Sequence, residues 1–159
     1  MAGRHYLRAG GSNYLCLPEE PRWKNHTNER YANFPRAYGV EYDLNTNFIS
    51  TVNNGGRLLH HKPVPCAACY VSQRSAFLMI PASSNCPVGW SEEYGGYLMS
   101  ISLVDHSSSY ICVDEAPEVG NGVGNQLSTW ITVVRVSCGT LPCSSYHNSW
   151  ELACVVCTK

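Results

Sequence analysis

The stretch Ser12-Asn13-Tyr14-Leu15-Cys16-Leu17-Pro18-Glu19-Glu20-Pro21 returns 96 positions later as Ser108-Ser109-Tyr110-Ile111-Cys112-Val113-Asp114-Glu115-Ala116-Pro117. A second echo links Pro65-Cys66-Ala67-Ala68-Cys69-Tyr70 with Ala153-Cys154-Val155-Val156-Cys157-Thr158. Self-similarity at a long period marks a duplicated structural unit, and residues kept in both copies are those the unit needs for its own stability. Here they are thiols, a tyrosine and aliphatic strand formers. The expected architecture is one domain, residues 1–159, made of two pseudo-repeats at about 1–80 and 81–159.

A chain of 159 residues can bury one substantial core, but each half alone would be marginal without reinforcement. Nine cysteines supply it, at 16, 66, 69, 86, 112, 138, 143, 154 and 157. That density exceeds cytosolic usage, so an oxidising, extracellular compartment and a secreted protein are expected. The triplet Asn25-His26-Thr27 is an N-glycosylation acceptor and points the same way. Met1 is followed by polar Ala2-Gly3-Arg4-His5 instead of a signal sequence, which suggests a mature or trimmed fragment. Formal net charge is -1 with no basic run, so nucleic acid is not an expected partner. No window approaches the run of about 18 apolar residues that a membrane span requires.

Helical periodicity is scarce, whereas short alternating or apolar runs bounded by Gly, Pro, Asn and Ser recur, which predicts an all-β, disulfide-rich fold with long loops. The predicted strands are Tyr14 to Leu17, Tyr38 to Tyr42, Cys69 to Ser72, Ala76 to Ile80, Tyr97 to Leu103, Tyr110 to Val113, Trp130 to Val136 and Leu152 to Cys157. Asn53-Asn54-Gly55-Gly56 is the best hairpin turn and Tyr94-Gly95-Gly96 the next. Long loops are expected between Pro21 and Pro35 and between Glu118 and Gln126, each following its repeat's cysteine strand.

Two Cys-x-x-Cys pairs invite a zinc reading, but structural knuckles commonly lie about 15 to 20 residues apart, and these are separated by most of the chain. A redox-active pair would open a helix, yet Pro63-Val64-Pro65 precedes the first pair and a strand-like run follows. Structural disulfides are therefore expected. If each Tyr-x-Cys strand joins its own half, Cys16 pairs with Cys66 or Cys69, and Cys112 with Cys154 or Cys157. Cys86 takes the remaining C-terminal thiol, and Cys138 pairs with Cys143. One of Cys66 and Cys69 is left over, and the second half's Cys86 has no counterpart in the first, so a tenth cysteine is expected upstream.

No nucleophile elbow, HExxH, P-loop or GxGxxG opening a helix occurs, and a non-enzymatic role is expected. His60-His61 on a strand would point to opposite faces and would not converge on a metal without a bend. Glu92-Glu93 and Asp114-Glu115-Ala116-Pro117-Glu118 could offer oxygens to calcium but lack a calcium-loop spacing, so no metal or other cofactor is assigned. Aromatic rings among amides and acids suit carbohydrate faces, which makes Trp23, Tyr31, Trp90 and Tyr94 the candidate ligand-binding residues. The same rings also serve as packing anchors.

Several stretches carry a resemblance: Ala9-Gly10-Gly11-Ser12-Asn13-Tyr14-Leu15-Cys16-Leu17-Pro18, Val64-Pro65-Cys66-Ala67-Ala68-Cys69-Tyr70-Val71, Cys86-Pro87-Val88-Gly89-Trp90, Glu93-Tyr94-Gly95-Gly96-Tyr97-Leu98-Met99-Ser100 and Cys154-Val155-Val156-Cys157-Thr158-Lys159. Together they resemble the cysteine-rich globular domain of secreted invertebrate proteins often labelled short-chain collagen-like, although no Gly-X-Y run is present here. The resemblance implies a non-enzymatic extracellular domain. The expected function is lectin-like binding of glycans or glycoproteins. The rival is a structural matrix or biomineral scaffold that assembles with itself or with another extracellular protein, as a homo- or hetero-oligomer.

Overall fold

The computed structural model describes residues 1–3, 11–24, 35–43, 59–101, 107–124 and 128–159. Among them the only regular elements are strands: β1 (Ala2–Gly3), β2 (Tyr38–Tyr42), β3 (Phe77–Pro81), β4 (Ser91–Ile101), β5 (Ile111–Asp114), β6 (Thr129–Val133) and β7 (Ala153–Thr158). They form one seven-stranded sheet in the order β1-β2-β6-β4-β7-β3, with β5 on the other edge of β4. The chain is all-β and disulfide-rich, as its patterning predicts. No helix among the described residues is long and apolar enough to cross a membrane.

The long strand β4 organises the sheet. One of its edges pairs first with β7, from Ser91 opposite Thr158 to Tyr97 opposite Ala153, and then with β6, from Met99 opposite Val133 to Ile101 opposite Ile131. A register shift between Glu92 and Tyr94 bends it on the way. Strand β7 lies between β4 and β3, and Cys154, Val155, Val156 and Cys157 are all buried. A strand covered on both faces reads as a continuous apolar run, which is how this segment stands out in sequence. Strand β3, which precedes the expected repeat boundary, pairs with β7 at the far end of the chain.

The two expected repeats make matching backbone bonds. Val64 N donates to Val40 O at 2.9 Å, and Leu152 N donates to Val134 O at 3.0 Å. Tyr42 N donates to Lys62 O at 3.0 Å, and Val136 N to Trp150 O at 2.9 Å. His61 and Ser149 occupy the same turn position, with φ of 58° and 67°. The single bridge Glu41–Pro63 matches Arg135–Glu151. The first echo also joins itself: Ser108 Oγ donates to Ser12 O at 2.7 Å and Ser109 Oγ to Asn13 Oδ1 at 2.8 Å. Where the repeats meet, β2 and β6 pair in parallel, with Val40, Glu41 and Tyr42 opposite Thr129, Trp130 and Ile131. The buried cluster of Val40, Tyr42, Leu59, Val64, Met99, Val113 and Ile131 draws on both.

The disulfides are Cys16–Cys66, Cys86–Cys157, Cys112–Cys154 and Cys138–Cys143, and Cys69 is a free, exposed thiol. The pairing rule drawn from the repeat holds, and the structure chooses among the alternatives it left open.

Four local expectations are corrected. Tyr14 to Leu17 is not a strand: among the described residues Leu15 alone bridges Ala2. Cys69 to Ser72 is not a strand, because no described strand lies beside it. Tyr94-Gly95-Gly96 is not a turn but the middle of β4. A Cβ on Gly96 would lie 1.9 Å from Val113 O, so the glycine admits the close approach of β5. His60 and His61 do not point apart. His61 turns the chain at positive φ, and the rings lie 3.8 Å apart. The Asn53-Asn54-Gly55-Gly56 turn lies outside the described residues, as does part of each long loop.

Candidate functional site

An open groove of about 320 Å³ lies between two segments of the second repeat. One wall is the turn after β3, where Ala82, Ser83 and Ser84 lead towards Cys86. Ala82 N donates to Ala153 O at 2.8 Å, which holds the turn against β7 while Ala82 takes a positive φ of 56°. Ser83 Oγ closes the turn by bonding Asn85 O at 3.0 Å and accepting from Asn85 N at 3.3 Å.

The other wall runs from Ser145 to Ala153, with Val136 beneath. Its shape follows from local bonds. The Cys138–Cys143 disulfide ties off the loop, Tyr146 N donates to Pro142 O at 3.0 Å, and Cys138 N donates to Asn148 Oδ1 at 3.2 Å. Ser149 N and Trp150 O then clamp Val136 from either side, both at 2.9 Å. This geometry pushes the Trp150 indole outwards, 63% exposed, beside the His147 ring at 4.1 Å between centroids. Glu151 is oriented by Arg135, whose Nη2 lies 2.9 Å from its Oε1. The groove therefore offers an indole face, a phenol, an imidazole, an oriented carboxylate and the hydroxyls of Ser83, Ser84 and Ser145. Such a mixture can stack against an apolar ring face and hydrogen-bond its hydroxyls.

Of the ligand-binding residues expected from sequence, Trp23, Trp90 and Tyr94 do not line this groove. Trp23 is 78% exposed on the first long loop. Tyr31 and the glycosylation acceptor Asn25 lie outside the described residues. Trp90 is half-buried and closes a turn, its N donating to Pro87 O at 3.0 Å. Tyr94 is half-buried, and its hydroxyl donates to Cys112 O at 3.1 Å. Burial, with the nearby charges of Asp114 and Cys69, holds its phenol above the ordinary value. The residues that do line the groove were legible in one respect. Tyr146-His147-Asn148-Ser149-Trp150 has the same mixture of rings, amide and hydroxyl that singled out the first loop.

Several titratable groups outside the groove have partners in the fold. Glu41 is only 2% exposed, with Oε2 3.7 Å from His61 Nδ1, and Asp43 Oδ1 lies 3.5 Å from His60 Nδ1. Of the acidic clusters, Glu93 Oε1 meets Arg74 and accepts from Thr158 Oγ1 at 2.6 Å, and Asp114 Oδ1 accepts from Ala116 N at 2.8 Å. Among the described residues no group of three or more His, Cys, Asp or Glu is placed to hold a metal ion. Neither a protein-family model nor a solved structure gives a significant match to this chain.

Proposed function

We propose that this is a secreted, non-enzymatic recognition protein that binds glycans or glycoproteins in a lectin-like manner, through the groove between Ser83 and Trp150. The observation that carries this reading is the exposed Trp150 indole, fixed by a disulfide-tied loop and bordered by serine hydroxyls and the oriented Glu151 carboxylate. Four disulfides fit an extracellular setting. So does the resemblance to a secreted cysteine-rich domain.

The test is a glycan-array screen of the natively purified protein, with and without calcium, followed by affinity measurements on Trp150→Ala. Selective sugar binding is expected, and loss of the indole should weaken it at least about tenfold, equivalent to about 1.4 kcal/mol. The melting temperature should not move, because the ring is exposed. Silence on the array would overturn the reading. Binding that Trp150→Ala leaves intact would remove the groove from it.

A further inference from the structure

The second repeat holds a strand pairing that has no counterpart among the described residues of the first. Ser91–Tyr97 of β4 lies antiparallel along β7, and just upstream of it Cys86 is bonded to Cys157 of β7. In the first repeat the segment matching β7 is Pro65–Tyr70. Cys66 bonds Cys16 as Cys154 bonds Cys112. Met1 also stands where Leu98 stands: its amino group donates to Val64 O at 2.9 Å, as Leu98 N donates to Leu152 O at 2.9 Å. Among the described residues no strand lies along Pro65–Tyr70, although its counterpart is paired from end to end. Ala67, Ala68, Cys69 and Tyr70 are exposed, Tyr70 at 91%. Cys69, the match of disulfide-bonded Cys157, is a free thiol.

We propose that the Pro65–Tyr70 edge is an acceptor for a partner strand. An extended peptide of a partner protein with the chemistry of Cys86–Tyr97, one cysteine followed by a short small-and-aromatic strand, adds antiparallel to this edge and is locked by a disulfide to Cys69. An open edge presents unpaired N–H and C=O groups that template such an addition. The occupied copy in the second repeat supplies the second observation, because the equivalent cysteine there has both a strand beside it and a sulfur partner. Pro65 does not spoil the edge. At the matching position Ala153 O accepts from Ala82 N, so the backbone groups of that residue face β3 and not β4, and the N–H that proline lacks would point away from the added strand. Ala67 and Ala68 replace Val155 and Val156, so recognition rests on main-chain bonds and the disulfide more than on apolar pockets.

The covalent step is thiol–disulfide exchange with a low-molecular-weight disulfide as oxidant. The thiolate of one cysteine attacks that disulfide and releases one small thiol. The other cysteine then displaces the second small thiol, so two protein thiols are oxidised and one small disulfide is reduced.

To test it, the purified chain is mixed with a synthetic peptide of the sequence Cys86–Tyr97 whose thiol is activated as a 2-pyridyl disulfide. Attack by Cys69 releases pyridine-2-thione, which is followed by absorbance. The control peptide keeps its first cysteine but has the remaining residues scrambled, so intrinsic thiol reactivity is matched. The matched peptide should react at least about tenfold faster, the gain expected from strand docking before exchange. Peptide mapping should place it on Cys69, and amide exchange at Ala68 and Tyr70, whose N–H groups face the added strand, should slow in the adduct. Cys69→Ser should fold normally and release nothing. Equal rates for the two peptides, an adduct without amide protection, or a protein purified as a Cys69–Cys69 dimer with this edge already protected would each overturn the proposal.

Discussion

Gly96 shows how one side chain, or its absence, sets the packing of three strands. It sits where β4 is paired on both edges, with Asp114 on β5 and Cys154 on β7. Only hydrogen fits there, because a built Cβ would meet Val113 O at 1.9 Å and Glu115 N at 2.8 Å, both rigid backbone atoms. Gly96→Ala is therefore expected to destabilise the fold by about 3 kcal/mol, at the upper end of overpacking effects. Gly11→Ala, with nothing within 4 Å of its built Cβ, should stay within about 0.5 kcal/mol. Urea unfolding of the two variants beside the parent checks both values. The same residue explains why a sequence reader places a turn at Tyr94-Gly95-Gly96. Paired glycines mark both tight turns and close backbone approaches, and only the neighbouring strand distinguishes them.

At the scale of elements, β2 is the inner strand of the first repeat, and its last residue, Tyr42, is fully buried. The Tyr42 hydroxyl donates to Glu118 O at 3.0 Å, tying β2 to the segment that follows β5. Burial, reinforced by the charges of Glu118 and Asp114, holds this phenol above its ordinary value of about 10. The sign follows from linkage: in alkali the unfolded chain loses this proton before the folded one does. The contribution is fully present below about pH 10 and is lost as the pH rises further towards the folded value. Tyr42→Phe should cost about 1 kcal/mol at neutral pH through the lost hydrogen bond, yet should show a shallower fall in stability above pH 10. Urea midpoints at neutral and alkaline pH, taken in a Cys69→Ser background to suppress thiol exchange, decide it. Element boundaries divide in the same way between local and non-local causes. Tyr38–Tyr42 was legible to the residue because its alternation continues along the whole strand. Cys69 to Ser72 has no strand beside it among the described residues, and a strand is defined by what it pairs with.

Across the whole molecule the two repeats share one sheet, joined by the parallel pairing of β2 with β6 and closed by disulfides of unequal span. Cys86–Cys157 has a sequence separation of 71, and Cys138–Cys143 one of 5. Loop-closure entropy assigns about 4 kcal/mol to the first and about 2 kcal/mol to the second. Replacing Cys86 and Cys157 together with serine should thus cost roughly twice as much stability as replacing Cys138 and Cys143. On the proposed glycan-binding role, the short-loop variant should lose sugar affinity more than stability, because that disulfide shapes the Trp150 wall of the groove. Denaturation curves and binding isotherms on the two double variants separate these effects. The cysteine rule was legible because the duplication restricts each thiol to its own half. The choice of Cys66 over Cys69, with Cα atoms of Cys16 and Cys66 5.4 Å apart, needed the folded chain.

The amino-acid sequence by itself determined the β class, the duplication, the cysteine framework and the polar character of the loops. These are encoded locally, in alternation, turn residues and repeated motifs. Tertiary structure alone decided that β2 and β6 run in parallel, that Cys69 rather than Cys66 stays free, and that Tyr146, His147 and Trp150 line a groove while Trp90 and Tyr94 are half-buried. Each of those outcomes depends on which distant backbone or ring lies alongside. That is fixed by burial and close approach across tens of residues, and no local pattern records it.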